Sequence, residues 1–169
     1  SDDWAASKNV ISDIIFNLNL MTGIDLLICE GKYYDANNKK PIRKASFQLL
    51  KRSLFIKDNY KISLFLGSTP PHQATIFTKK VISKISKFST QFSLAADLDY
   101  FLKLTKFKEI NVQKINLEIV KITNGGISQR KGLLRTKEVI QSYLNIFGFC
   151  WPIPFTLRYL RRLKSLIIK

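Results

Sequence analysis

The sequence contains few glycines, prolines, cysteines and acidic residues, and each shortage excludes a class of protein. Seven glycines and five prolines among 169 residues exclude a collagen-like or low-complexity chain. Two cysteines cannot form a disulfide framework. Because Cys29 and Cys150 both lie in apolar runs, we expect buried thiols in a reducing compartment. Hydrophobic residues make up 46% of the chain and aromatic residues 12%, which excludes intrinsic disorder.

Long apolar runs are also missing. The longest, residues 147–155, has about half of the ~20 residues that a membrane-spanning helix needs, and it contains Pro152 and Pro154. The first four residues, Ser-Asp-Asp-Trp, show no signal-peptide pattern. Since the chain opens on adjacent aspartates without an initiator Met, we expect it to be cut from a longer polypeptide.

What the chain has in excess is positive charge. Lys and Arg total 28 against 12 Asp and Glu, a formal net charge of +16. Nucleic acid, an anionic membrane surface and phosphorylated substrates are the candidate partners for such a charge. The basic residues form clusters in residues 39–52, 79–87 and 158–169. Zinc-finger, RNP-type and helix-turn-helix signatures are absent, which argues against nucleic acid, and the first two clusters can equally serve solubility.

Hydrophobic periodicity predicts an α/β fold. The predicted helices cover residues 8–20, 93–104, about 134–147 and about 155–168. The predicted strands cover residues 25–34, 72–77 and 115–122. Gly148 is placed to end the third helix, and Pro152 and Pro154 are expected to break the chain after it.

The segments between these elements have weaker signals. Residues 67–71, with Pro70 and Pro71, are predicted to be an irregular loop. Residues 35–38 and 124–126 are predicted turns, and residues 41–68 give a mixed signal, with a helix or an irregular segment near 46–56. There is no opening βαβ unit and no Gly-rich phosphate loop, so a nucleotide-binding half is not expected within these residues.

Few residues could carry chemistry. The adjacent Asp2 and Asp3 suit a hard divalent cation, or they cap a helix. His72, the only histidine, could bind a phosphate or hydroxyl on a rigid loop, or be hydrogen-bonded at a strand start. Asp97 follows small residues that would let a ligand approach, or it is a first-turn capping acid, and Asp99 is its competitor.

Other catalytic classes find nothing to build on. No Ser-His-Asp order, Cys-His pair or zinc-ligand spacing is present, which argues against proteases, α/β hydrolases and zinc enzymes. The pair Gly125-Gly126 is either a plain turn or a place where the backbone passes close to a substrate.

In order and approximate spacing, five segments resemble the second half of a family 2 glycosyltransferase of the GT-A fold, from the bacterial polysaccharide branch that includes the colanic-acid type enzymes. The segments are Ser-Asp-Asp-Trp at 1–4, Asp-Leu-Leu-Ile-Cys-Glu-Gly at 25–31, Pro-Pro-His-Gln-Ala-Thr-Ile-Phe at 70–77, Ala-Ala-Asp-Leu-Asp at 95–99 and Asn-Gly-Gly-Ile-Ser at 124–128. The resemblance implies the acceptor-side part of a Rossmann-like domain with a mixed sheet over residues 1–150, followed by a basic amphipathic helix over 151–169.

The resemblance also implies roles for single residues. Asp2 and Asp3 would hold Mg²⁺ or Mn²⁺ against a sugar-nucleotide diphosphate, and Asp97 would be the catalytic base. Acceptor-side contacts would come from substrate-binding residues: His72, Gln73, Trp4, Gly125 and Gly126. Since the nucleotide-binding half is missing, the isolated fragment is expected to be inactive.

The last helix has an alternative interpretation. Tyr159, Leu160, Leu163, Leu166 and Ile167 share an arc of roughly 120°, with Arg158, Arg161, Arg162 and Lys164 opposite. The apolar arc could lie in a membrane interface, where anionic lipids attract the cations, or it could pack on the domain.

The function predicted from the sequence is an inverting, metal-dependent hexosyltransferase at the inner face of the membrane. Its partners would be a nucleotide-sugar donor and a saccharide or lipid-linked acceptor. The alternatives are a basic module that binds nucleic acid or anionic lipid without catalysis, and a structural fragment without a ligand.

Overall fold

The computed structural model describes residues 3–35, 37, 40–53, 58–85, 87–107, 110–124 and 131–167, with side chains through Leu163. These ranges contain five strands, β1 (Trp4–Ala5), β2 (Leu26–Tyr34), β3 (Pro41–Ala45), β4 (Thr75–Phe77) and β5 (Val112–Thr123). The same ranges contain six α-helices, α1 (Val10–Asn19), α2 (Asn59–Phe65), α3 (Lys79–Lys84), α4 (Ala96–Leu104), α5 (Gly132–Phe147) and α6 (Pro152–Ile167). Two 3₁₀ turns cover His72–Ala74 and Gly148–Cys150.

The strands form one mixed, open sheet in the order β1-β5-β2-β3. The central strands β2 and β5 are parallel, whereas β1–β5, β2–β3 and β2–β4 are antiparallel. The short strands β4 and β3 pair with the first and last parts of β2, respectively. Helices alternate with these strands along the chain, so the predicted α/β class is confirmed.

Strand β2 is buried on both faces. Leu26 and Ile28 belong to the larger core cluster, together with side chains of α2, α4 and α5. Leu27 and Cys29 point to the other face and pack in a smaller cluster with Val10 of α1. Because successive side chains of a strand alternate between faces, a strand covered on both sides has a continuous apolar sequence, and this is why residues 25–34 were predictable.

Most predicted elements are confirmed, with shifted ends. Helices α1, α4 and α5 and strands β2 and β5 lie where periodicity places them, and Gly148 ends α5 with a positive φ of 54°. In the predicted strand 72–77 only Thr75–Phe77 is extended. Residues 46–53 are irregular, and β3, α2 and α3 were not predicted.

Two predictions about the C-terminal region are wrong. Pro152 does not break the chain but begins α6, where a missing N–H costs nothing in the first turn. Cys29 is buried as expected, but Cys150 is exposed.

Candidate functional site

A loop after α2 carries the candidate histidine. Hydrogen bonds anchor it at both ends: the Ser68 hydroxyl accepts the backbone N–H of Gln48 at 2.8 Å, and the Thr75 hydroxyl donates to the Pro71 carbonyl at 2.8 Å. Two successive prolines fix φ and lead directly into the 3₁₀ turn that begins at His72. The sequence therefore holds His72 and Gln73 on a rigid support.

The His72 imidazole lies against aromatic rings. Its centroid is 5.3 Å from that of Phe88 and 6.5 Å from that of Phe101. The buried Nδ1 has no hydrogen-bond partner among the described residues. The predicted hydrogen bond at a strand start is thus not made by this nitrogen, which leaves it able to bind a ligand atom.

Asp97 lies in the first turn of α4, and its buried support comes from α5. The carboxylate of Glu138 accepts the N–H groups of Ser93, Leu94 and Ala95 at 3.0, 2.7 and 2.8 Å. These donors precede the helix, so Glu138 caps α4 from outside and fixes the backbone that carries Asp97.

The surroundings keep Glu138 ionised. Burial raises the pKa of its carboxyl, but the three backbone N–H donors outweigh that effect and hold the pKa below the ordinary value of 4.5. Glu138 lies 43 to 45 positions after the residues it caps, beyond α4 and β5, and it was not predicted from the sequence. No signal marked it, because at about 100° per residue Glu138 lies opposite the predicted apolar face, whereas the face that is buried contains Glu138, Val139, Ser142 and Tyr143.

His72, Gln73 and Asp97 line one cleft of about 230 Å³. The sequence places Asp97 twenty-five positions after His72, and α4 returns it to the same opening. Asp99, the competing acid, is buried and paired with Lys103 at 2.7 Å, and it does not line the cleft. The structure therefore separates the two aspartates: one faces the cleft and the other faces the interior.

The remaining charged lining of the cleft is almost entirely arginine. Among the described residues that line it, five are arginines and one is a lysine, in a chain of seven arginines and 21 lysines. The five, which we call the arginine cluster, are Arg43, Arg135, Arg158, Arg161 and Arg162. They come from β3, α5 and α6, so three separate elements converge on one opening.

Helix α6 is held against the loop by its arginines. Arg158 is only 7% exposed, and its guanidinium donates to the Thr69 hydroxyl. Arg161 Nε donates to the Leu66 carbonyl at 2.7 Å. Gly67, with φ of 79°, permits this approach because a Cβ there would lie 2.7 Å from the Leu157 carbonyl carbon. The apolar residues Leu160 and Leu163 are 54% and 57% exposed, so of the two alternatives for the apolar arc, packing on the domain does not hold for these two leucines.

Positive charge prevails among the described residues that line the cleft. Asp97 is the single carboxylate among them, and Lys44 is paired with Glu30 at 2.9 Å. Burial, followed by the nearby Arg158 and Arg135, lowers the pKa of Arg162 to about 10.

Of the predicted metal ligands and the flanking Trp, the described residues Asp3 and Trp4 lie elsewhere on the sheet. One Asp3 carboxylate oxygen accepts the Thr123 N–H at 3.0 Å, at the carboxyl end of β5. Trp4 lies in β1 with its ring 5.7 Å from that of Tyr34. Neither residue lines the cleft. Asp2, Gly125 and Gly126 lie outside the described residues.

Similarity to known proteins does not assign the chain to a family. No protein-family model matches the sequence, and no curated protein matches it. Within the described ranges, no group of three or more His, Cys, Asp or Glu side chains could hold a metal ion. No helix in those ranges is both long and apolar enough to cross a bilayer.

Proposed function

We propose that this chain forms the acceptor side of an inverting glycosyltransferase, which transfers a sugar from a nucleotide-sugar donor to a saccharide or lipid-linked acceptor. The observation that supports this most is the shared cleft: His72, Gln73 and Asp97 line one opening although their segments are separate in sequence. The mixed α/β sheet is compatible with a GT-A fold, which stays part of the proposal.

Asp97 would act as the general base. An inverting displacement needs one group that removes the proton from the acceptor hydroxyl as its oxygen attacks the anomeric carbon. A carboxylate on the first turn of a helix, with its backbone fixed by Glu138, can hold one position while the acceptor binds. His72 and Gln73 would orient the acceptor hydroxyls on the same side.

A divalent cation belongs to the same proposal. Asp3 uses one carboxylate oxygen for the Thr123 N–H, so it would need the neighbouring Asp2 to offer a usable set of oxygen ligands. Mg²⁺ or Mn²⁺ held by Asp2 and Asp3 would supply Lewis-acid stabilisation of the departing nucleoside diphosphate.

The surface of α6 favours a peripheral contact with the inner face of a membrane. Ile153, Leu160 and Leu163 lie within about 80° of the helix circumference at 3.6 residues per turn, and all three are exposed. Phe149, just before the helix, is fully exposed. Such a face, on a protein with a net charge of +16, suits an anionic lipid surface.

The test is a transfer assay with the natural polypeptide that contains these 169 residues. Radiolabelled nucleotide sugars and lipid extract of the source cells are the substrates, and Asp97→Asn is compared with Asp13→Asn, a first-turn aspartate of α1 away from the cleft. We expect Asp97→Asn to reduce transfer by several orders of magnitude with an unchanged circular dichroism spectrum. Near-normal transfer by Asp97→Asn would refute the role of this residue.

The second candidate function is a binding module without catalysis, which the arginine cluster favours. Its ligand would be nucleic acid or anionic lipid. Binding of random duplex DNA with a steep salt dependence, together with no transfer to any lipid extract, would support this alternative over the transferase.

A further inference from the structure

We propose that the arginine cluster is a binding site for a diphosphate group. The identity of the substrate that carries the diphosphate rests on the proposed function, whereas binding of a diphosphate to the cluster does not. In the proposed reaction two substrates can carry such a group, the sugar nucleotide and a lipid-linked acceptor, and the chemistry that the cleft recognises is common to both.

The choice of residue type is the first argument. Lysines outnumber arginines threefold in the chain, yet the described residues that line the cleft include five arginines and one lysine. A guanidinium presents a planar fork of N–H donors that matches two phosphate oxygens, whereas an ammonium acts as a point charge. A surface that needed only solubility would not select arginine at one place.

Burial of unpaired donors is the second argument. Arg158 is 7% exposed, and its Nε has no hydrogen-bond partner among the described residues. His72 Nδ1, on the facing loop, is also buried without a partner. An unsatisfied buried polar group costs about 1–3 kcal/mol, more for a charged group. A ligand that accepts hydrogen bonds from Arg158 Nε–H, and from His72 in the tautomer that carries its proton on Nδ1, relieves a cost already present in the fold.

The spread of the arginines favours two linked phosphates over one. Among the described residues that line the cleft, Asp97 is the one carboxylate, and Lys44 is paired with Glu30. A diphosphate that links two groups carries about two negative charges, as a phosphate monoester does, but its acceptor oxygens are spread over two phosphorus atoms. It can therefore accept hydrogen bonds from arginines that come from β3, α5 and α6. The concave shape, about 230 Å³, suits a compact group better than a nucleic-acid backbone.

Calorimetric titration of the purified chain with inorganic pyrophosphate, and with inorganic phosphate for comparison, tests the site. We expect pyrophosphate to bind at least about tenfold more tightly than phosphate, and Arg135→Gln, Arg158→Gln and Arg162→Gln each to weaken it about tenfold or more. Arg52→Gln, an exposed arginine outside the cleft, is the matched control and should change affinity less than twofold. Should Arg158→Gln fail to fold, Arg135→Gln and Arg162→Gln decide the question.

Equal weakening by Arg52→Gln and the cluster variants, equal affinity for phosphate and pyrophosphate, or no binding would each overturn the proposal. Asp97→Asn separates it from the transfer reaction: this variant should abolish transfer but bind pyrophosphate as tightly or more tightly, because a negative charge leaves the cleft. Absence of pyrophosphate binding with transfer still dependent on Asp97 would refute the diphosphate site alone.

Two further ligands identify the source of the diphosphate. Tighter binding of farnesyl diphosphate than of pyrophosphate, with no gain for uridine diphosphate, would assign the site to a lipid-linked acceptor. Tighter binding of uridine diphosphate than of pyrophosphate, with no gain for farnesyl diphosphate, would assign the site to the nucleotide sugar. Either result supports the site if the cluster variants lower the affinity, and insensitivity to those variants contradicts it.

Discussion

Helices α4 and α6 are both amphipathic, but they face the protein in opposite ways. In α4, Leu98 and Leu102 are almost completely buried, as in an ordinary surface helix. In α6, Arg158 is buried while Leu160 and Leu163 are exposed. The comparison shows that periodicity divides a helix into two faces without deciding which one is turned inward. An inward polar face is stable only where partners such as Thr69 and the Leu66 carbonyl receive its donors.

The comparison predicts unequal effects for the same substitution in the two helices. Leu98→Ala in α4 should destabilise the protein by about 2–5 kcal/mol, because it leaves a cavity in the core. Leu163→Ala in α6 should change the free energy of unfolding by less than about 0.5 kcal/mol, because its side chain is 57% exposed. Urea unfolding measures both. Similar losses for both variants would mean that α6 buries its leucine face.

The approach of α6 to the loop before His72 can be broken at Gly67. Gly67→Ala requires φ of 79° and places a Cβ 2.7 Å from the Leu157 carbonyl carbon, so we expect a loss of about 3 kcal/mol and weaker pyrophosphate binding. Gly23→Ala is the control: its φ of 66° is also positive, but nothing lies within 4 Å of the added atom. That variant should lose only about 1–2 kcal/mol in urea unfolding and bind normally. Equal losses would show that no close helix–loop contact exists.

Glu138 stabilises α4, the helix whose apolar face is turned inward. Glu138→Gln weakens the cap of α4 by removing a charged acceptor, and we expect a loss of about 1–3 kcal/mol at pH 7. Because the folded pKa lies below the ordinary value of 4.5, the stabilisation is fully present above that pH and is lost as the pH falls through the folded pKa.

Thermal unfolding of the wild type and Glu138→Gln between pH 3 and pH 7 measures this effect. The difference in melting temperature should be largest near neutrality and shrink below about pH 4.5. A difference that is constant across this range would contradict the ionised cap.

The smallest expected effect is a difference in reactivity between the two thiols of the chain. Burial, followed by the neighbouring Glu30, raises the pKa of Cys29 to about 11, whereas Cys150 beside α6 is exposed. A thiol reagent at pH 8 should therefore modify one thiol rapidly and the second only after denaturant is added. Cys150→Ser should remove the rapid phase, and a rapid phase that survives this substitution would place Cys29 at the surface.

Long elements of the fold were predictable from sequence, and short or polar ones were not. Strand β2 is apolar because both of its faces are covered, which made it visible. Strand β3, Pro41-Ile-Arg-Lys-Ala, has only one buried residue, so its pairing with β2 supplies a strand that its own pattern does not predict. Helix α2 has seven residues and α3 six, too few for a clear periodicity.

The candidate site was predictable only in part. His72, Gln73 and Asp97 were named from sequence, and the structure brings them to one cleft. The inward arginines were not, since a basic arc ordinarily faces water and only the contacts of α6 reverse that preference. A usable signal was the use of arginine rather than lysine at residues 158, 161 and 162, in a chain where lysine prevails.

The measurement that tests the account most directly is chemical modification of arginines by phenylglyoxal, located by mass spectrometry, with and without pyrophosphate. The account predicts that pyrophosphate protects the partly exposed Arg43, Arg135, Arg161 and Arg162, while Arg52 is modified at the same rate in both conditions. Protection of Arg52 to the same extent, or no protection of the cluster, would show that these arginines do not form one binding cleft.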